Sequence, residues 1–181
     1  MLDLIIQNGQ CYIDGKLKEV NVAVKDGKIH KIGEISEEAK ETINAEGQTV
    51  LPGCIDTQTH FREPGSTDTE DLHSGSRAAV AGGITSVFEM PNTNPPTSTK
   101  VEFQKKLDLA KKRMYCNYAF YFGATADNGN ELADLENVEG CCGIKLFAGS
   151  STGNLLVANE DDIEKKKKNS SKVVAVHSED E

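Results

Sequence analysis

The sequence lacks any apolar run close to the length that spans a membrane. Its first ten residues, MLDLIIQNGQ, also lack the basic segment followed by a long apolar segment that marks a secretory signal. We therefore expect neither a membrane anchor nor export, and the cytoplasm is the expected compartment.

Basic residues are outnumbered in this chain. It carries 20 Lys and Arg against 29 Asp and Glu, for a formal net charge of -9 and a pI near 5.0. Binding to nucleic acid needs basic patches that neutralise phosphates, so this balance argues against a nucleic-acid partner. The charge mainly favours solubility.

The cysteines lack the spacing of a metal knuckle or a redox motif. There are five, an odd number, and no two are arranged as C-x-x-C. We therefore expect buried, reduced thiols at Cys11, Cys54, Cys116, Cys141 and Cys142.

Residues 1–49 show the pattern of short strands joined by tight turns. Apolar or alternating runs at 2–6, 20–24 and 28–32 are separated by Asp14-Gly15 and Asp26-Gly27, which are typical turn pairs. This segment is predicted to be a hairpin-rich β unit.

Residues 50–181 alternate between strand and helix patterns. Strands are predicted at 50–55, 84–89, 117–122, 143–147 and 173–176, and helices at 71–83, 100–114 and 131–138. Such alternation predicts a parallel sheet and an α/β fold, and a (β/α)₈ barrel is the natural way to close it. Five strands make only a partial barrel.

Polar side chains follow the first of these strands. Residues two apart on a strand share a face, so Asp56, Gln58, His60 and Arg62 are expected to point the same way. An imidazole can bind a metal, and a guanidinium can grip a carboxylate at two points. Standing alone, such a pattern is more often a solvated strand face.

The same arrangement recurs after later strands, which favours a site. Asn92 lies in the loop MPNTNPP after the second strand, and His177 closes the fifth. Lys145 stands inside the fourth strand between Ile144 and Leu146, where a charged amine is costly to bury unless it has a use.

Four segments of the sequence carry a family resemblance: DTQTHFREPG, AAVAGGITSVFEMPNTNP, GIKLFAGSSTG and VAVHSED. Together these segments resemble the dihydroorotases of the amidohydrolase superfamily. Enzymes of this family reversibly cyclise carbamoyl aspartate to dihydroorotate in pyrimidine synthesis. The resemblance covers essentially all 181 residues but only the first part of a family member. It implies a β-sandwich segment over 1–49 and a truncated TIM-barrel metal-dependent hydrolase over 50–181.

The resemblance also implies roles for single residues. Arg62 and Asn92 would hold the substrate. One or two zinc ions would be bound by a set of four side chains, namely Gln58, His60, Lys145 and His177, with Lys145 carboxylated by carbon dioxide. The catalytic aspartate of the family follows the eighth strand, so it is expected beyond Glu181, and the isolated chain is expected to be inactive.

One departure from the family pattern leaves alternatives open. Gln58 stands where D-x-H-x-H-x-R has its first histidine, and an amide oxygen is a weaker zinc ligand than an imidazole. The chain could therefore be a non-catalytic pseudo-dihydroorotase that scaffolds aspartate carbamoyltransferase. Allantoinase and dihydropyrimidinase share the scaffold, but FREPG followed by MPNT favours dihydroorotase. A homo-oligomer is the other expected assembly.

Overall fold

The computed structural model describes residues 1–132, 134, 138–151, 153–157, 159–168 and 170–179. The chain divides into two compact units, Met1–Pro52 and Gly53–Glu181. No helix in the described ranges is both long enough and apolar enough to cross a membrane.

The first unit consists of seven strands. They are β1 (Leu2–Gln7), β2 (Gln10–Ile13), β3 (Lys16–Glu19), β4 (Asn21–Lys25), β5 (Lys28–Gly33), β6 (Ala39–Asn44) and β7 (Thr49–Val50). One sheet has the order β5-β4-β1-β6 and the other β3-β2-β7. Leu2, Ile5 and Ala23 form the buried cluster of the first sheet.

Both predicted Asp-Gly turns are confirmed. Asp14 and Gly15 have φ of 52° and 77°, and Asp26 and Gly27 have φ of 51° and 71°. Two consecutive positive φ values are required by the tight hairpin turns that match strand twist, and Asp-Gly meets that requirement at low cost.

The second unit alternates strands and helices. Its elements are β8 (Cys54–Thr59), α1 (Leu72–Ala81), β9 (Ile84–Glu89), α2 (Lys100–Ala110), β10 (Asn117–Gly123), α3 (Gly129–Leu132), β11 (Cys141–Phe147), α4 (Glu160–Lys168) and β12 (Val174–His177). The strands form one parallel sheet in the order β12-β11-β10-β9-β8. This is the arrangement of part of a (β/α)₈ barrel, so the predicted fold class is confirmed.

The core of this unit lies between the sheet and the helices. Phe103 of α2 is 1% exposed and meets the rings of Phe120 and Phe122 at centroid distances of 6.4 and 6.2 Å. Leu72 at the start of α1 and Leu146 of β11 are fully buried in the same cluster. The aromatic layer thus fixes α2 against the strands that carry the site.

The prediction of a buried strand at 50–55 is wrong. The strand runs over Cys54–Thr59, and Ile55 is 59% exposed. β8 is at the edge of the parallel sheet and pairs only with β9 among the described strands. The expectation of buried thiols holds for Cys11 and Cys141, whereas Cys54 is exposed and Cys116 and Cys142 are half-buried.

Two helix predictions also differ from the structure. α2 ends at Ala110 rather than at residue 114, because Lys111 is extended (φ −56°, ψ 122°) and Lys112 has a φ of 62°. The helix predicted over 131–138 overlaps α3 only at its start, and residues 133 and 135–137 lie outside the described residues.

Candidate active site

The carboxyl ends of the parallel strands surround one cleft, which we call the strand-end cleft. Its volume is about 350 Å³. It is lined by Gln58, His60, Arg62, Asn92, Lys145, Phe147, Ser150, Ser151 and His177. All six residues singled out for metal or substrate binding are therefore brought together, although they come from four different strands or the loops after them.

β8 and the loop after it supply three of these side chains. The register of β8 with β9 ends at the pair Thr59 and Glu89, so His60 and Arg62 lie beyond the ladder. Arg62 has a φ of 59°, a backbone conformation that few residues other than glycine adopt. Asp56, expected on the same face, is not part of the lining, and its Oδ1 accepts the backbone N–H of Gln58 at 2.9 Å.

The loop that carries Arg62 is fixed by the hydrogen bonds of the neighbouring residue Glu63. The carboxylate of Glu63 accepts hydrogen bonds from both terminal nitrogens of Arg113, at 2.7 and 3.1 Å. It also accepts the N–H of Leu72 at 2.9 Å, which ties the loop to the start of α1. The lack of a side chain at Gly75 lets α1 pack closely against Phe61 of this loop, since a Cβ at residue 75 would lie 2.4 Å from the Phe61 ring.

Burial and the nearby positive charges favour the neutral form of the His60 imidazole. Burial lowers the pKa of His60, and the positive charges of Arg62 and Lys145 lower it further, while Asn92 opposes the shift. A neutral imidazole keeps a lone pair free to bind a metal. The Oδ1 of Asn92 is buried and accepts no well-formed hydrogen bond among the described residues, although its amide is close enough to influence that pKa.

Lys145 is the buried amine of the site. The residue is 4% exposed in β11, between β10 and β12, and its Nζ lies 5.1 Å from the centroid of the Phe147 ring. Burial lowers the pKa of this lysine. A depressed pKa increases the fraction of neutral amine, which is the form that can react as a nucleophile.

His177 contacts two residues, Phe147 and Glu179, for which the sequence pattern predicts no role in the site. Its ring stacks on Phe147 with centroids 5.9 Å apart, and its Nε2 is 3.5 Å from Oε2 of Glu179. The N–H of Ser150 donates to the other oxygen of Glu179 at 2.9 Å, and both contacts lower the pKa of that carboxyl. In the sequence, the contact between Glu179 and His177 is indicated by their spacing, since Glu179 follows His177 by two residues.

The donor set fits a metal ion only in part. Within the described ranges, no three His, Cys, Asp or Glu side chains lie close enough together to form a metal site. The cleft offers two imidazoles, one amide and one amine, and Ser151 Oγ is a further buried oxygen with no hydrogen-bond partner among the described residues. Carboxylation of Lys145 would convert the amine into an anionic oxygen donor and add it to the two imidazoles as a possible metal ligand.

A second cleft of about 350 Å³ adjoins the first and shares Arg62 and Asn92 with it. Its other lining residues are Pro64, Ser66, Thr93, Asn94, Pro96 and Gly153. Arg62 and Asn92 thus stand between the two spaces, where a ligand in either one can reach them.

Comparison with known proteins places this geometry in a family. The amidohydrolase family matches residues 49–177. A dihydroorotase from Methanosarcina mazei is 37% identical over 163 residues, which are 89% of this chain and 36% of that protein. An allantoinase from Escherichia coli is 39% identical over 149 residues, which are 82% of this chain and 33% of that protein.

Solved structures agree with the sequence relatives. The L-hydantoinase (dihydropyrimidinase) from Arthrobacter aurescens superposes with a TM-score of 0.88 at 29% identity, and the match covers 100% of this chain and 42% of that one. The chain therefore spans well under half the length of the relatives it matches. With the family matched over most of its residues and the strand-end cleft in place, the chain belongs to the amidohydrolase family.

Proposed function

We propose that this chain contributes to a dihydroorotase, which reversibly hydrolyses the cyclic amide of dihydroorotate to carbamoyl aspartate in pyrimidine synthesis. The observation that carries the proposal is the placement of Arg62 and Asn92 beside His60, Lys145 and His177 in one cleft. A guanidinium and an amide next to a cationic metal site suit a small ring that bears a carboxylate. The expected compartment is the cytoplasm.

Each side chain has a role that its chemistry permits. Arg62 binds the substrate carboxylate through two parallel hydrogen bonds, because its planar fork matches that group. Asn92 offers a donor and an acceptor and so orients the ring amide. Phe147 stacks on His177 and lies against Lys145, which restricts the movement of both side chains.

Gln58, His60, carboxylated Lys145 and His177 would hold the zinc. A bound zinc ion lowers the pKa of a coordinated water to about 7 and polarises a carbonyl oxygen. Oε2 of Glu179 lies 3.5 Å from Nε2 of His177, and we assign to it the role of orienting the imidazole, as carboxylates do beside many metal-binding histidines. We assign the proton shuttle to a residue outside the set found in the strand-end cleft.

Two further candidates follow from particular observations. The 39% identity to an allantoinase and the TM-score of 0.88 with an L-hydantoinase favour a related cyclic amide as the alternative substrate. Gln58 in place of a histidine favours a non-catalytic scaffold for aspartate carbamoyltransferase.

One experiment separates these candidates. The native protein is captured from its own cells with an antibody against residues 50–97, its mass is compared with 19.6 kDa, and it is assayed with zinc. Dihydroorotate, allantoin and dihydrouracil serve as substrates. We expect dihydroorotate to give the highest kcat/KM, whereas a preference for allantoin or dihydrouracil would reassign the substrate.

Variants at native length test the role of Arg62. Arg62→Ala is expected to lower kcat/KM for dihydroorotate by about 100-fold through loss of charge-assisted hydrogen bonds. It should affect dihydrouracil, which has no carboxylate, far less. Arg77→Ala removes an exposed arginine of α1 and is the matched control. Absence of turnover with all three substrates, together with activation of aspartate carbamoyltransferase that survives Arg62→Ala, would establish the scaffold instead.

A further inference from the structure

A buried ion pair lies directly behind the strand-end cleft and takes no part in the chemistry proposed above. Glu89 ends β9 and Lys106 lies in α2, and their side chains contact each other while being 1% and 0% exposed. Burial raises the pKa of Glu89 to about 7, against the opposing effect of Lys106, and burial also lowers the pKa of Lys106. Desolvation therefore works against both charges, and well-packed apolar side chains would serve the fold at least as well.

Each member of the pair also bonds to a backbone group next to the site. Oε1 of Glu89 accepts the N–H of Phe61 at 3.3 Å. Nζ of Lys106 donates to the carbonyl of Met90 at 3.1 Å. Phe61 lies between His60 and Arg62, and Met90 is followed by Pro91 and Asn92.

These contacts occur where the sheet stops holding the two segments. The register of β8 with β9 ends at Thr59 and Glu89, followed by a backbone bond from Met90 N to Thr59 O at 2.9 Å. The next backbone bond between the two segments runs from Asn94 N to Pro64 O at 3.0 Å, beyond Arg62 and Asn92. Beyond that point Arg62 has a left-handed backbone conformation that a strand cannot supply. Between these two backbone bonds, the side chains of Glu89 and Lys106 bond to the backbone of Phe61 and Met90.

We propose that Glu89 and Lys106 form a positioning pair that fixes the backbone of Phe61 relative to that of Met90. The pair thereby sets the separation of Arg62 from Asn92 and the affinity of the site for a ring that carries a carboxylate. This inference rests on the proposed function, and it makes Glu89 and Lys106 positioning residues rather than catalytic ones.

The test is a double variant that keeps the core apolar but removes both backbone contacts. In the native-length protein, Glu89→Leu with Lys106→Met should keep a cooperative fold with a moderately lower melting temperature. Apolar replacement of a buried pair is often tolerated, but the buried N–H of Phe61 loses its acceptor. KM for dihydroorotate should rise by about tenfold with kcat nearly unchanged, as expected when substrate binding alone is weakened. Glu102→Gln with Lys105→Met, at an exposed ion pair of the same helix, is the matched control and should change neither value.

Amide hydrogen exchange provides a readout that needs no turnover. Exchange should accelerate by about tenfold or more in segments 60–63 and 90–94 of the double variant, and in neither segment of the control. If the parent protein does not hydrolyse dihydroorotate, the proposed function fails and exchange alone decides the positioning role. Unchanged exchange in both segments, or faster exchange with an unchanged KM in an active protein, overturns the inference.

A second variant guards against misfolding of the first. Glu89→Gln with Lys106→Met keeps an oxygen that can accept the N–H of Phe61 but removes the donor to Met90. Faster exchange is then expected in segment 90–94 alone. Equal loosening of both segments would show a general packing defect and would also overturn the inference.

Discussion

The contacts of Glu63 allow a quantitative prediction about the loop that carries Arg62. The Glu63 side chain is 9% exposed and accepts three hydrogen bonds, two from Arg113 and one from the N–H of Leu72. Leu72 is fully buried and is the first residue of α1, so its N–H has no partner within the helix. Glu63→Ala removes all three acceptor contacts, and we expect it to destabilise the fold.

The expected loss of stability follows from these contacts. A buried N–H left without a partner costs about 1–3 kcal/mol. The ion pair adds about 1 kcal/mol or less, because the Arg113 side chain is 36% exposed and solvent screens the charge. We therefore expect Glu63→Ala to lower the free energy of unfolding by about 1–4 kcal/mol. Glu63→Gln keeps an acceptor oxygen and should cost about 1 kcal/mol.

Urea unfolding of the native-length protein measures these free energies. An unchanged m-value would show that the substitution alters stability and not the compactness of the folded or unfolded state. A double-mutant cycle with Arg113→Met isolates the ion-pair contribution. Glu164→Gln breaks an exposed pair with Lys168 on α4 and is the control, with an expected change within about 0.5 kcal/mol. If Glu63→Ala stayed within the range of that control, the reasoning that Glu63 anchors the loop through Leu72 would be refuted.

Two further predictions concern the core and the metal site. Phe103→Ala removes a buried ring packed on Phe120 and should cost about 3–5 kcal/mol in urea unfolding, whereas Val101→Ala, 62% exposed on the same helix, should cost far less. A small effect of Phe103→Ala would mean that the aromatic layer does not hold α2. Gln58→His is expected to raise the zinc content after dialysis against a metal buffer, because imidazole is a better zinc ligand than an amide, and unchanged zinc content would argue against a ligand role for residue 58.

Much of the fold was accessible from local sequence signals. Hydrophobic runs bounded by turn residues predicted β9 with its observed limits and placed β10, β11 and β12 to within one or two residues, since these patterns depend on the chain's own periodicity. The candidate site residues were found because each stands at or just beyond the end of a predicted strand, or, for Lys145, is a charged residue inside one. Carboxyl ends of parallel strands meet at one edge of a sheet, so such residues gather without further information.

The sequence by itself therefore determined the parallel alternation of strand and helix, most strands of the parallel sheet and the set of polar groups at their ends. Only the tertiary structure decided which side chains pair across those elements. Glu63 reaches Arg113 and Glu89 reaches Lys106 because α2 docks on the strands, and Ile55 is exposed although its apolar run predicts burial. Periodicity reports the face on which a residue lies, whereas pairing and burial depend on what packs against that face, and that is set by contacts between residues distant in the chain.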